Sequence, residues 1–173
     1  MGYYVDLTDA WAILPASNYD EAYKRLCELN KRDDLKSGGS WSGGKQTSVW
    51  FSWMSADYPD HHKDARSILE AVGYETADRP DGFALTHYND KTGCEDVFVW
   101  AIADLFEENN YMVWRGEENE QYRWEFGGGI PMLIQNAIIE WTDGDVYIPN
   151  DYSKLNAISM KLRAEIAGQN ESN

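Results

Sequence analysis

TGCEDVFVWAIADLFEENNYMVWRGEENEQYRWEF, residues 92–126, changes its hydrophobic period midway. Val97, Ala101 and Leu105 recur every four positions, and Phe98, Ile102 and Phe106 form a second row beside them. Such a wide apolar stripe belongs to a helix that lies on a sheet. Thr92 and Glu95 have capping-box spacing at its start: the Thr hydroxyl accepts from the N–H three residues on, and the Glu reaches back. Asn109-Asn110 is a left-handed stop. The period then falls to two. Met112 and Trp114 alternate with Tyr111, Val113 and Arg115, and Tyr122, Trp124 and Phe126 alternate with Gln121, Arg123 and Glu125. This is a hairpin with one buried face. A three-residue loop, Glu117-Glu118-Asn119, sets Trp114 opposite Tyr122 and Met112 opposite Trp124. A four-residue loop mixes the faces, because a one-residue slip inverts every side chain. Asn119 then takes the left-handed position of such a loop. Gly127-Gly128-Gly129 and Pro131 break the chain before a third strand, Met132 to Trp141, with a bulge or turn expected at Gln135-Asn136.

Working outward, Tyr3 to Thr8 alternates as a first strand, and Ala10 to Leu14 extends it after a bend at Thr8-Asp9, with Pro15 as its end. Asn18 opens a first helix to about Lys31. Asp33 to Gln46 is polar and Gly-rich and reads as a long contact loop carrying an exposed Trp41. Thr47 to Met54 reads as a strand. Pro59-Asp60 opens a second helix through Ala65, Ile68, Leu69 and Val72 to Gly73. Tyr74 to Ala77 and Phe83 to Tyr88 flank a Pro/Gly turn. Asp151 to Ala167 makes a last amphipathic helix, and Gln169 to Asn173 a disordered tail. The expected architecture is α+β, a mainly antiparallel sheet with helices on one face. It is divided as one domain over 1–150 and a C-terminal helix and tail over 151–173.

The 173 residues carry a net charge of −15, from 30 acids against 15 bases. That balance opposes binding to nucleic-acid phosphates or anionic membranes, which reward Lys and Arg. No apolar run reaches the roughly 20 residues of a membrane span, and no basic leader or h-region opens the chain. The expectation is a cytoplasmic protein, in the host cell if phage-encoded, whose acids either keep it soluble or face a basic partner. Eight Trp, eleven Tyr and five Phe are ample core material. Cys27 and Cys94 read as reduced thiols.

Gly2-Tyr3-Tyr4-Val5-Asp6-Leu7-Thr8-Asp9, Trp50-Phe51-Ser52-Trp53-Met54 and the Trp114–Phe126 hairpin resemble small uncharacterised acidic proteins carried by bacteriophages and their relatives. The resemblance covers most of the chain up to Trp141. It implies an accessory protein that acts by binding a host factor, and it brings no catalytic residues.

Motif chemistry is sparse. Gly39 to Lys45 fits part of a phosphate-binding loop, but Gln46 stands where Ser or Thr should hold magnesium, and the preceding strand and following helix are missing. His61-His62 lies among Asp57, Asp60 and Asp64, yet neighbours on a helix point about 100° apart, so at most two ligands converge. No nucleophile elbow or Ser/His/Asp signature occurs. No cofactor, metal site or catalytic residue is expected. The leading reading is a non-enzymatic protein that binds, and inhibits, a host or defence protein through a basic surface on that partner. It would be an anti-defence protein such as an anti-CRISPR, mimicking nucleic acid. Glu107, Glu108, Glu117, Glu118 and Glu120, with Trp41, are the candidate contacts. The alternatives are an enzyme with an unrecognised carboxylate or metal site and a self-assembling structural protein.

Overall fold

A computed structural model of the chain describes residues 3–127 and the backbone of 130–137. Its elements follow in order: β1 (Tyr4–Pro15), α1 (Tyr19–Leu29), β2 (Gly38–Ser42), β3 (Lys45–Trp50), α2 (Tyr58–His61), α3 (Ala65–Val72), β4 (Glu75–Arg79), β5 (Gly82–His87), β6 (Asn89–Lys91), α4 (Glu95–Ala101), β7 (Tyr111–Gly116), β8 (Gln121–Gly127) and β9 (Ile130–Ala137). The main sheet runs β4-β5-β1-β7-β8-β9, with β6 also paired to β1. Every pairing in it is antiparallel. The fold is α+β, with the helices on one face. Among the described residues no helix is long and apolar enough to cross a membrane.

β1 is the spine. Ala12 to Pro15 pair with β5, Tyr4 to Asp6 with β6, and Val5 to Trp11 with β7 on the other side. The expected bend at Thr8-Asp9 is a bulge, where the register against β7 shifts between Leu7 and Asp9. A bulge changes which residues point inward. Val5 and Leu7 are buried before it, Ala12 and Leu14 after it. The β7–β8 register matches the face argument: Trp114 pairs with Tyr122 and Met112 with Trp124. Asn119 has φ 63° and Asn109 φ 62°, both in the left-handed region. The Asn110 side chain accepts the Ile13 N–H at 2.6 Å, tying the entry of β7 to β1.

The inward face of the sheet is covered by α1, α3 and α4. They bury Leu26 and Leu29, Ile68, Leu69 and Val72, and Phe98 and Val99. Phe51 packs edge-on to Phe98 at 5.1 Å, and Tyr58 sits 5.4 Å from Phe98. The buried Tyr58 hydroxyl donates to the Leu26 carbonyl. The opposite face is wet and pairs cations with aromatics and acids. Arg123 lies 4.3 Å over Tyr111, Arg79 stands over Trp11, Lys91 over Tyr4, and Arg115 bonds Asp6 at 2.6 Å. Such exposed contacts contribute at most about 1 kcal/mol each. They engage four bases on the body of the sheet.

Several expectations are corrected. The long loop over Asp33 to Gln46 is largely a separate two-stranded hairpin, β2–β3, turned by Gly43 and Gly44 at φ 57° and 78°. Two positive φ values in a row are the turn that suits hairpin twist. The strand expected over Thr47 to Met54 stops at Trp50, because Phe51 dives into the core and Trp53 adopts φ 68°. The second helix is two helices, since the Asp64 side chain accepts the Ser67 N–H at 2.7 Å and starts α3 afresh. The central helix is short. Ile102 leaves helical geometry, and Ala103–Leu105 tighten into a 3-10 turn. Asn18 holds that turn by donating to the Leu105 carbonyl at 2.7 Å, and Arg25 grips Asp104 at 2.6 Å. β8 and β9 stay in register through Gln135 and Asn136, and their irregularity lies between Glu125 and Gly127 instead. The end of the expected third strand over 138–141, the expected helix over 151–167 and the tail lie outside the described residues.

Candidate functional site

The start of α4 is braced by one carboxylate. The Thr92 hydroxyl donates to Glu95 Oε1 at 2.6 Å, and the Gly93 N–H donates to Oε2 at 2.7 Å. Glu95 therefore reaches back as a capping box requires, but to Gly93, and the Thr hydroxyl donates instead of accepting. The N-cap residue is Cys94, whose thiol donates to the Ser52 carbonyl at 3.1 Å. Burial pushes the Cys94 thiol up to about 12. It is therefore held as the thiol and offers no nucleophile at neutral pH.

Beside this brace lies a cavity of about 410 Å³. Glu95, Asp96, Val97 and Trp100 of α4 form one side, and Tyr122 and Trp124 of β8 another. Leu35 and Thr92 also line it. The volume is that of a site for a small organic molecule. Trp124 is buried, whereas Trp100 is 56% exposed and stands at the rim.

The acidic candidates fall into two groups. Glu117, Glu118 and Glu120 are exposed at the β7–β8 tip, where the Asn119 N–H donates to the Gly116 carbonyl at 3.0 Å. Tyr3 donates its hydroxyl to the Glu120 carboxylate, and this bond holds that carboxyl below the usual range. Glu107 and Glu108 precede β7 at its other end, with the Glu107 N–H bonded to the Ile13 carbonyl at 3.1 Å. A six-residue strand separates the two groups by roughly 20 Å. Among the described residues, Glu107, Glu108, Glu117 and Glu118 make no ion pair.

Trp41 is 68% exposed on β2, as expected of a contact residue, but on a strand and not in a loop. Lys45 opens β3 directly after the Gly43-Gly44 turn, so the Gly39–Lys45 match forms no phosphate cradle. His61 Nε2 lies 3.1 Å from Asp57, and both are exposed to solvent. Among the described residues no three of His, Cys, Asp or Glu come together to hold an ion.

Comparison with protein-family models, with characterised proteins and with solved structures finds no match. The site is thus read from its own geometry. Sequence reasoning missed Trp100, Tyr122 and Trp124 as neighbours across a cavity. One signal was present: at about 100° per residue Trp100 points away from both apolar rows of the central helix, so a large aromatic is left on the helix's outer side.

Proposed function

We propose that this protein is an acidic, phage-type accessory protein that binds and inhibits a host or defence protein by covering a basic, nucleic-acid-handling surface. The observation that carries the reading is the β7–β8 tip. Glu117 and Glu118 project there without any cation among the described residues, while four bases are engaged on the body of the sheet. Exposed carboxylates cost folding little and remain free to meet Lys and Arg that otherwise hold phosphates. The sequence resemblance to phage accessory proteins and the net charge of −15 point the same way. The roughly 20 Å between the two acidic groups, about six base pairs of duplex on one strand spacing, suits an extended basic groove better than a single pocket.

Glu117→Lys combined with Glu118→Lys is expected to keep the wild-type circular dichroism spectrum and to lose partner binding. Affinity capture from bacterial lysate should yield one stoichiometric partner with wild type and none with the double variant. The association rate should fall steeply as salt rises. Trp41→Ala is the companion variant. At 68% exposure its melting temperature should stay within about 2 °C of wild type. Normal binding by the double variant, with a salt-independent association rate, rejects the acidic tip as the interface. Loss of binding in Trp41→Ala alone moves the interface to the β2–β3 hairpin.

A further inference from the structure

We infer that the cavity between α4 and β8 is a binding site for an organic cation, an ammonium carried on an apolar stem. The inference is independent of the acidic tip, since neither Glu117 nor Glu118 lines the cavity. Three aromatic rings, Trp100, Tyr122 and Trp124, belong to its walls, and two carboxylates, Glu95 and Asp96, belong to the same lining. Among the described residues that line it, none is Lys, Arg or His. Lys36, next in the chain to the lining residue Leu35, is occupied by Asp33 at 2.7 Å. An aromatic ring presents a negative face, and several rings around one charge replace the water that the cation gives up. Trp is the strongest of the ring partners, and two of the described lining residues, Trp100 and Trp124, are Trp.

The field inside has the matching sign. The Tyr122 hydroxyl is pushed above the ordinary phenol range, first by burial and then by the charges of Glu95, Asp96 and Glu120. The Glu95 carboxylate is fixed by Thr92 and Gly93, so its charge is positioned before any ligand arrives. Preorganised charge beside an aromatic wall selects cations over neutral molecules of the same shape and rejects anions. Val97 and Leu35 supply the apolar surface that would take the stem. A cavity of about 410 Å³ exceeds one trimethylammonium group, which is why the stem belongs to the ligand class.

Choline and 3,3-dimethylbutan-1-ol have nearly the same shape and differ in charge, so calorimetric titration of the full chain with each isolates the electrostatic part. Choline is expected to bind about tenfold more tightly than the alcohol. Trp100→Ala, at an exposed position that leaves the core intact, should weaken choline by about tenfold, and Asp96→Asn by about threefold. Acetyl-trimethyllysine amide distinguishes the sources. Tighter binding than choline assigns the site to a protein side chain, and weaker binding to a free small molecule. Both results keep the cation. Equal affinity for choline and the alcohol, binding of choline by Trp100→Ala at wild-type strength, or no heat with any cation at millimolar concentration overturns the inference.

Discussion

Trp114→Ala is expected to lower unfolding stability by about 3–5 kcal/mol. Trp114 is fully buried at the middle of β7, with its ring 4.8 Å from Trp124, 5.7 Å from Tyr88, 6.2 Å from Tyr122 and 6.3 Å from Tyr74. Leu7 of the spine stands opposite it. Truncation removes the transfer energy of an indole and leaves a void that four rings on three segments cannot all close. Domains of this size are stable by about 5–15 kcal/mol, so the loss is about a fifth or more of the total. Among the described residues the indole N–H has no partner. Trp114→Phe, which keeps a ring and abandons no hydrogen bond, should therefore cost less than half as much. Urea unfolding followed by circular dichroism measures both. A Trp114→Ala loss under about 1 kcal/mol would mean that the aromatic cluster is not the centre of the core.

The second large effect is at Gly82. A Cβ there would lie 2.1 Å from the Leu14 carbonyl oxygen and 3.0 Å from both the Leu14 carbon and Pro15 Cα. All three atoms are backbone, so no side chain can swing aside. Gly82 is paired with Pro15 of β1 on one side and Arg79 of β4 on the other. Gly82→Ala must push β5 off the spine, at an expected cost of about 2–3 kcal/mol. Gly44→Ala is the contrast. Its Cβ meets nothing within 4 Å, so the penalty is only that of φ +78°, about 1 kcal/mol. The two variants compared in the same denaturant series decide the matter. Gly82→Ala unfolding at the wild-type midpoint, or Gly44→Ala being the weaker protein, would contradict the close approach of β5 to β1.

How much of this was legible depended on what each segment buries. The β7–β8 register could be read because Met112, Trp114, Tyr122, Trp124 and Phe126 all face one core, and a loop one residue longer would part them. The β1 bulge could be read as a bend for the same reason. Of the β2–β3 hairpin only β3 could be read, as part of the strand expected over Thr47 to Met54; β2, Gly-Gly-Ser-Trp-Ser, buries no face and carries no alternation, so it reads as loop. The Gly43-Gly44 pair was its one usable mark. The shortness of α4 was hidden as well, since the apolar rows continue through the 3-10 turn that Asn18 and Arg25 hold from another helix. The acidic candidates were identified one by one but not their separation, which is the length of β7. The cavity was illegible in principle: Leu35, α4 and β8 meet only when the sheet has formed.

The central position of β1 orders the events of folding. Its bond from Asp6 to Arg115 spans 109 positions along the chain. Closing a loop of that length costs roughly 4 kcal/mol of chain entropy, against about 1 kcal/mol for the three-residue turn between β7 and β8. The local hairpins β4–β5 and β7–β8 are therefore the early structures, and β1 is the late clasp that makes them one sheet. Folding with such distant partners is slow, on the order of milliseconds to seconds. Pulse-labelled amide exchange should protect Trp124 before Leu7, and simultaneous protection of both would place the clasp at the start instead. Until β1 engages, the facing edges of both hairpins are open to strands of other chains.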